Sequence, residues 1–137
     1  MRDREMRTGT DGFTWLTPPP APYQYLGARF GGRPFERLKV PSHYELRLPH
    51  RRGVPTGARY FAVGRYFDED TDLTRPLSLL VRWATLINGH DRITLKAIQV
   101  YGRVTEDAPG FGFVPTAHTL AAIANTGACL DVSVYTA

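Results

Sequence analysis

The sequence predicts an all-β fold: an antiparallel β-sandwich or barrel, a jelly roll by preference, with an extended N-terminal arm and one short helix near the C-terminus. Three observations carry this. Short apolar runs repeatedly alternate with polar residues, as half-buried strands do. Thirteen Gly and eleven Pro punctuate those runs, and aromatics reach 12%. Only residues 116–125 have both a start and a stop signal for a helix. An immunoglobulin-like sandwich and an oligonucleotide-binding barrel fit the same pattern.

Residues 1–22 read as an extended, Pro-rich arm and residues 23–137 as a single β-sandwich domain. The arm opens "MRDREMRTGT", where Met1 and Met6 are the only large apolar side chains. Such a stretch buries too little surface to offset its lost freedom, so its order is expected to come from a partner. "GFTWL" adds Phe13, Trp15 and Leu16, and "LTPPPAP" favours an extended spacer. Trp15 either grips a neighbour or folds back on its own domain.

The first strand is expected at 23–30 and the second at 35–40, with "GGRP" as the turn between them. "HYELRL" (43–48) alternates, so Tyr44, Leu46 and Leu48 should face the core and His43, Glu45 and Arg47 the solvent. Residues 49–57 form a charged Pro/Gly loop. Residues 58–67 alternate again, with Arg59, Phe61, Val63, Arg65 and Phe67 opposed to Tyr60, Ala62, Gly64 and Tyr66. An acidic loop follows at 68–76.

Residues 77–104 read as a long antiparallel hairpin turning at Asn88-Gly89, a pair suited to the positive φ angles of a type I′ turn. Leu79, Val81, Trp83 and Ile87 would form one face of its first arm. On the second arm the apolar parity changes from Ile93 and Leu95 to Ile98 and Val100. A bulge near Ala97, or a strand covered on both faces, accounts for that change. The helix at 116–125 takes Thr116 as its cap and ends at Asn125 to Gly127. Residues 128–137 close the chain as a strand with Leu130, Val132 and Val134 on one face. No repeat of about 20–50 residues is present.

Composition narrows the function classes. The single Cys129 excludes an internal disulfide framework and a thiolate zinc cluster. No run of about 18 apolar residues is present, and the basic start lacks the apolar stretch of a secretory signal. The expected location is therefore a virion or the cytoplasm of a host cell. Net charge is +4, and of seventeen basic residues only Lys39 and Lys96 are Lys. An Arg-rich set suits a GC-rich genome and also forked contacts to carboxylates or phosphates.

Signals for catalysis are sparse. Asp68, Asp70 and Asp72 alternate like the opening of a calcium loop, but Leu73 and Leu79 stand where Gly and a bidentate Glu are needed. His43, His50, His90 and His118 have no metal-ligand spacing, although His43 and Glu45 share one strand face. "GFGF" lacks the setting of a phosphate loop. Glu106–Asp107 lies in an ordinary turn, and no Ser or Cys nucleophile motif occurs.

The expectation for function is thus a structural assembly protein without enzymatic activity or cofactor, a virion component such as capsid cement or decoration, a minor capsid protein or a tail protein. Met6, Phe13, Trp15, Leu16, Arg51 and Arg52 are the candidate partner-binding residues, and the partners are copies of itself or other subunits. Two alternatives stay open. A nucleic-acid-binding barrel would bring Arg51, Arg52, Arg59 and Arg65 into one groove with exposed aromatics. A small cupin-like enzyme would join His43 and Glu45 to a further His.

Overall fold

A computed structural model describes residues 7–8, 14–15, 23–48, 50–51, 54–55, 59–104 and 114–136. The chain is mostly β, with one five-stranded mixed sheet and two α-helices. Its elements are β1 (Tyr23–Gly31), β2 (Glu45–Arg47), β3 (Tyr60–Asp68), α1 (Thr74–Ile87), β4 (Thr94–Val104), α2 (Ala117–Thr126) and β5 (Cys129–Thr136). The sheet order is β2-β3-β1-β4-β5. β1 lies antiparallel to both β3 and β4, while β4 and β5 are parallel. Parallel neighbours need a crossover rather than a tight turn, and α2 supplies it.

The expected mostly-β fold is present, with two helices where one was expected and a mixed sheet in place of a purely antiparallel one. Among the described residues this five-stranded sheet does not close, and the two helices pack on one of its faces. The expected hairpin at 77–104 is also corrected, because its first arm is α1. Leu77, Leu80, Val81 and Ala84 recur at helical spacing and are all buried. Leu79 and Leu86, which a strand reading also counts as apolar, point to solvent. Pro76 sits in the first turn, where its missing N–H costs no hydrogen bond. Asn88-Gly89 ends this helix instead of turning a hairpin. The Asn88 amide bonds back to Ala84, Gly89 has φ +86°, and the Gly89 amide donates to Ile93 at 2.7 Å.

The core lies between the sheet and α1. Leu26, Ala28 and Phe30 of β1, Phe61, Val63 and Phe67 of β3, and Leu95, Ile98 and Val100 of β4 meet the helix. Phe30 stacks on Phe61 at 5.0 Å and meets Trp83 edge-on at 5.7 Å. The expected bulge is present. Register shifts between Arg29 and Phe30, whose partners Ala97 and Leu95 leave Lys96 as the extra residue. The strand expected at 35–40 is instead a turn and extended coil between Pro34 and Pro41, with the Leu38 amide donating to Phe35. Phe35, Leu38 and Val40 still pack on the core, and the Trp83 indole N–H holds this segment through the Lys39 carbonyl at 3.1 Å.

β2 keeps the expected alternation, with Leu46 and Arg47 on opposite faces, but their burial is the reverse of that expected. Arg47 is only 2% exposed, whereas Leu46 is 43% exposed. Leu46 lies on the helix side of the sheet opposite Val63, and at this edge strand the cover gives out. The predicted C-terminal helix is confirmed as α2, and the Thr116 hydroxyl accepts from the Thr119 amide at 3.1 Å. Gly127, with φ +79°, ends it in the left-handed region that favours glycine.

The 1–22 arm falls mostly outside the described residues. Within it, Arg7–Thr8 pairs antiparallel with Thr14–Trp15. In the loop expected at 49–57, His50–Arg51 pairs with Val54–Pro55.

Candidate functional site

The face of the sheet turned away from the helices is built from tyrosine. Alternation places Tyr23 and Tyr25 of β1, Tyr60 and Tyr66 of β3, and Tyr101 of β4 on this side, while Phe30, Phe61 and Phe67 go to the core. Tyr66, Tyr25 and Tyr101 are direct cross-strand neighbours. Tyr25 lies 5.5 Å from Tyr66 and stacks on Tyr101 at 5.3 Å, and Tyr135 of β5 meets Tyr101 edge-on at 5.8 Å. Rings spaced in this way bind one another beyond their area of burial and stiffen the sheet across its width.

Tyr25 is buried because the sheet is hollowed beneath it. Gly27 and Gly64 face each other on β1 and β3, and the ring straddles both. A Cβ added at Gly64 would fall 2.6 Å from the Tyr25 ring carbon that bears the hydroxyl, and one at Gly27 2.7 Å from it. Both glycines are therefore required for space. The Tyr25 hydroxyl accepts from Arg47 Nη1 at 3.0 Å, and this contact draws the Arg47 side chain inward.

Beside this ring runs a polar chain. Gln99 is wholly buried, and its Nε2 donates to the Tyr101 hydroxyl at 2.6 Å. Tyr101 donates to Asp131 Oδ2 at 3.1 Å, and Ser133 donates to Asp131 Oδ1 at 3.3 Å. This links β4 to the parallel edge strand β5 through side chains as well as backbone. The Asp131 carboxylate thus accepts from two hydroxyls, one on each of the two strands, and braces β5 against β4.

On the helix side, burial pushes the Tyr44 hydroxyl up to about 12, partly offset by the nearby Arg65 guanidinium. Arg65 itself lies 4.4 Å over the Phe67 ring. At the start of α1 the Thr74 backbone amide, then its side chain, hold the Asp72 carboxyl below its ordinary range. α1 and α2 run parallel, because each leads from the end of one of two parallel strands, β3 and β4, to the start of the next. Between them lies a groove of about 300 Å³ lined in part by Ser78, Arg82, Thr85 and His118.

The margin of the sheet at β5 differs from the rest. β5 is eight residues long, and among the described residues no strand pairs with its outer edge. Its helix-side residues continue the core row, with Val132 level with Val100 and Val134 with Gly102. Yet Val132 is 47% and Val134 56% exposed, so α2 does not reach over them. Leu120, 43% exposed, lies on the flank of α2 opposite His118, Thr119 and Ala122, which meet the α1 groove. Val132 and Val134 are thus an uncovered apolar pair at a strand edge that is unpaired among the described residues.

Of the sequence-predicted contact residues, Met6, Phe13, Leu16 and Arg52 lie outside the described residues, and Trp15 and Arg51 are described by backbone alone. Arg65 is on the helix side of β3, whereas Tyr60 and Tyr66 are on the other face, and Arg59 precedes the strand, so Arg65 and these tyrosines do not form one surface. His43 precedes β2 with φ +69°, and His90 packs 4.8 Å from Phe35. Among the described residues no three His, Cys, Asp or Glu side chains come together as metal ligands, and no helix is long and apolar enough to cross a membrane. Sequence reasoning missed the β5 margin because alternation reveals which face a residue takes, not whether that face is covered. In comparisons with known proteins no family model matches the chain, and no curated protein or solved structure matches it.

Proposed function

We propose that this chain is a structural building block of a larger assembly and carries no catalytic activity. The observation that supports the reading most is the margin of β5, where, among the described residues, a long strand ends the sheet with its outer edge unpaired and its valines exposed. Folded proteins blunt such edges with charge, Pro or brevity, because a bare edge recruits other strands. β5 has only Asp131 as a charge, no Pro, and eight residues. The opposite edge, β2, is three residues long.

The tyrosine face supports the same reading. Its rings and the Gln99–Tyr101–Asp131 chain are committed to one another, which suits a rigid tile better than a site that must admit a substrate. Composition suggests the setting: a virion component, whether capsid cement or decoration, minor capsid or tail protein, made in a host cell of high GC content. The arm, with Met6, Phe13, Trp15 and Leu16, is proposed as a second point of attachment to neighbouring subunits. Sedimentation velocity of the full chain tests the reading. Association beyond the 15.4 kDa of a single copy is expected. A monomer at every concentration that also fails to join any larger particle would overturn it.

A further inference from the structure

Beyond the assembly reading, and independent of it, we infer that the groove between α1 and α2 is a binding site for a phosphate group, free or carried on a small molecule. The groove holds about 300 Å³, at the small end of ligand sites and enough for a phosphate with a few attached carbons. Ser78, Val81 and Arg82 face it from one side of α1, and His118, Thr119 and Ala122 from one side of α2. Buried Val81 and half-buried Ala122 supply apolar lining. Exposure of the polar groups grades from Arg82 and His118, open to solvent, through half-buried Ser78 to Thr119, which is only 3% exposed.

These side chains have donors to offer. Among the described residues the Ser78, Arg82 and His118 side chains make no hydrogen bond or ion pair. The Thr119 hydroxyl accepts from Thr116 at 3.0 Å, which leaves its own proton unused against the groove. A buried donor without an acceptor is destabilising, so Thr119 marks where an acceptor belongs. The Thr119 amide is already capped by Thr116, so the site is built from side chains and not from a helix end. Thr85, also on the α1 wall, is committed to the Arg82 carbonyl. No carboxylate competes, because α1 and α2 contain neither Asp nor Glu. The ligand is therefore an anion, and the two-sided arrangement favours phosphate over a carboxylate. One guanidinium fork satisfies a planar carboxylate, whereas a tetrahedral phosphate keeps oxygens for the hydroxyl and imidazole of the facing helix. An imidazole N–H is on offer in either protonation state of His118.

Titration of the full chain with inorganic phosphate at constant ionic strength, followed by NMR, tests the site. The amide signals of Ser78, Arg82, His118 and Thr119 should shift together along one saturable curve. Arg82→Gln should weaken binding at least about tenfold, since it removes a charge-assisted hydrogen bond. Thr119→Val keeps the shape of the side chain and loses its hydroxyl, and should weaken binding severalfold. Arg75→Gln removes the exposed cation of α1 that lies outside the groove, and should leave binding unchanged. Glycerol phosphate in a parallel titration separates the two sources of the group. Tighter binding than inorganic phosphate would assign the carbon chain to the apolar lining, and weaker binding would make the free ion the ligand. Shifts that never saturate, acetate binding as tightly as phosphate, or equal responses from Arg82→Gln and Arg75→Gln would overturn the site and leave the assembly reading standing.

Discussion

Gly64→Ala is the substitution for which the geometry and the usual strand preference disagree most sharply. Alanine in a strand interior ordinarily gains about 0.5–1 kcal/mol over glycine by restricting the unfolded chain. Here the new methyl would stand 2.6 Å from the hydroxyl-bearing ring carbon of Tyr25 and 2.5 Å from its neighbour. Ordinary carbon contacts begin at about 3.5 Å, so the ring must retreat by about 1 Å. Forcing a methyl into a filled site costs about 1–3 kcal/mol. The retreat also pulls the hydroxyl from Arg47 Nη1, now at 3.0 Å, and a hydrogen bond to a charged group is worth about 1.5–3 kcal/mol. The expected net loss is about 2–5 kcal/mol, read as a lower urea midpoint at unchanged slope. In a Tyr25→Ala background the same change should become neutral or stabilising, and Gly27→Ala with Gly64→Ala should cost less than the sum of the two, since both displace one ring. A Gly64→Ala protein as stable as the parent would refute the account of the tyrosine face.

Other substitutions separate the observed helix from the hairpin that its sequence suggests. Leu80→Ala should cost about 2–5 kcal/mol, whereas Leu86→Lys should shift stability by no more than about 0.5 kcal/mol, both measured by urea unfolding. Equal effects at the two positions would contradict α1. Tyr44 makes stability depend on alkaline pH. Its folded-state pKa lies above the ordinary value of 10, so the unfolded chain releases the proton first. Its contribution is complete below about pH 10 and is lost as pH rises toward about 12. The stability loss of the parent over that interval should be smaller in Tyr44→Phe; identical curves would exclude the burial argument.

Much of the fold is legible where one pattern dominates. β1, β3, β5 and α2 lie close to where alternation, capping and glycine place them, and the change of parity in 93–104 announces the bulge at Lys96. α1 is obscured because its sequence is apolar at nearly every position, so periods of 2 and 3.6 both find support in it. There the Asn88-Gly89 pair favours a hairpin, and Pro76 is compatible with a helix only because it falls in the first turn. The burial of Arg47 at β2 follows from a long-range contact with Tyr25 that no local pattern records. The β5 margin has the same origin, because exposure of Val132 depends on how far α2 extends across the sheet. Sequence identifies the faces of a strand; only the assembled layers reveal which face is left bare.

The proposed assembly role depends on β5 being an edge that another subunit completes. Hydrogen exchange across a dilution series reads this directly, because the outer amides of β5 are protected only when a strand lies against them. Protection over residues 130–135 should rise with protein concentration while that of β1, paired on both sides within the sheet, stays constant. β5 amides that exchange at one rate from the lowest concentration to the highest would contradict it.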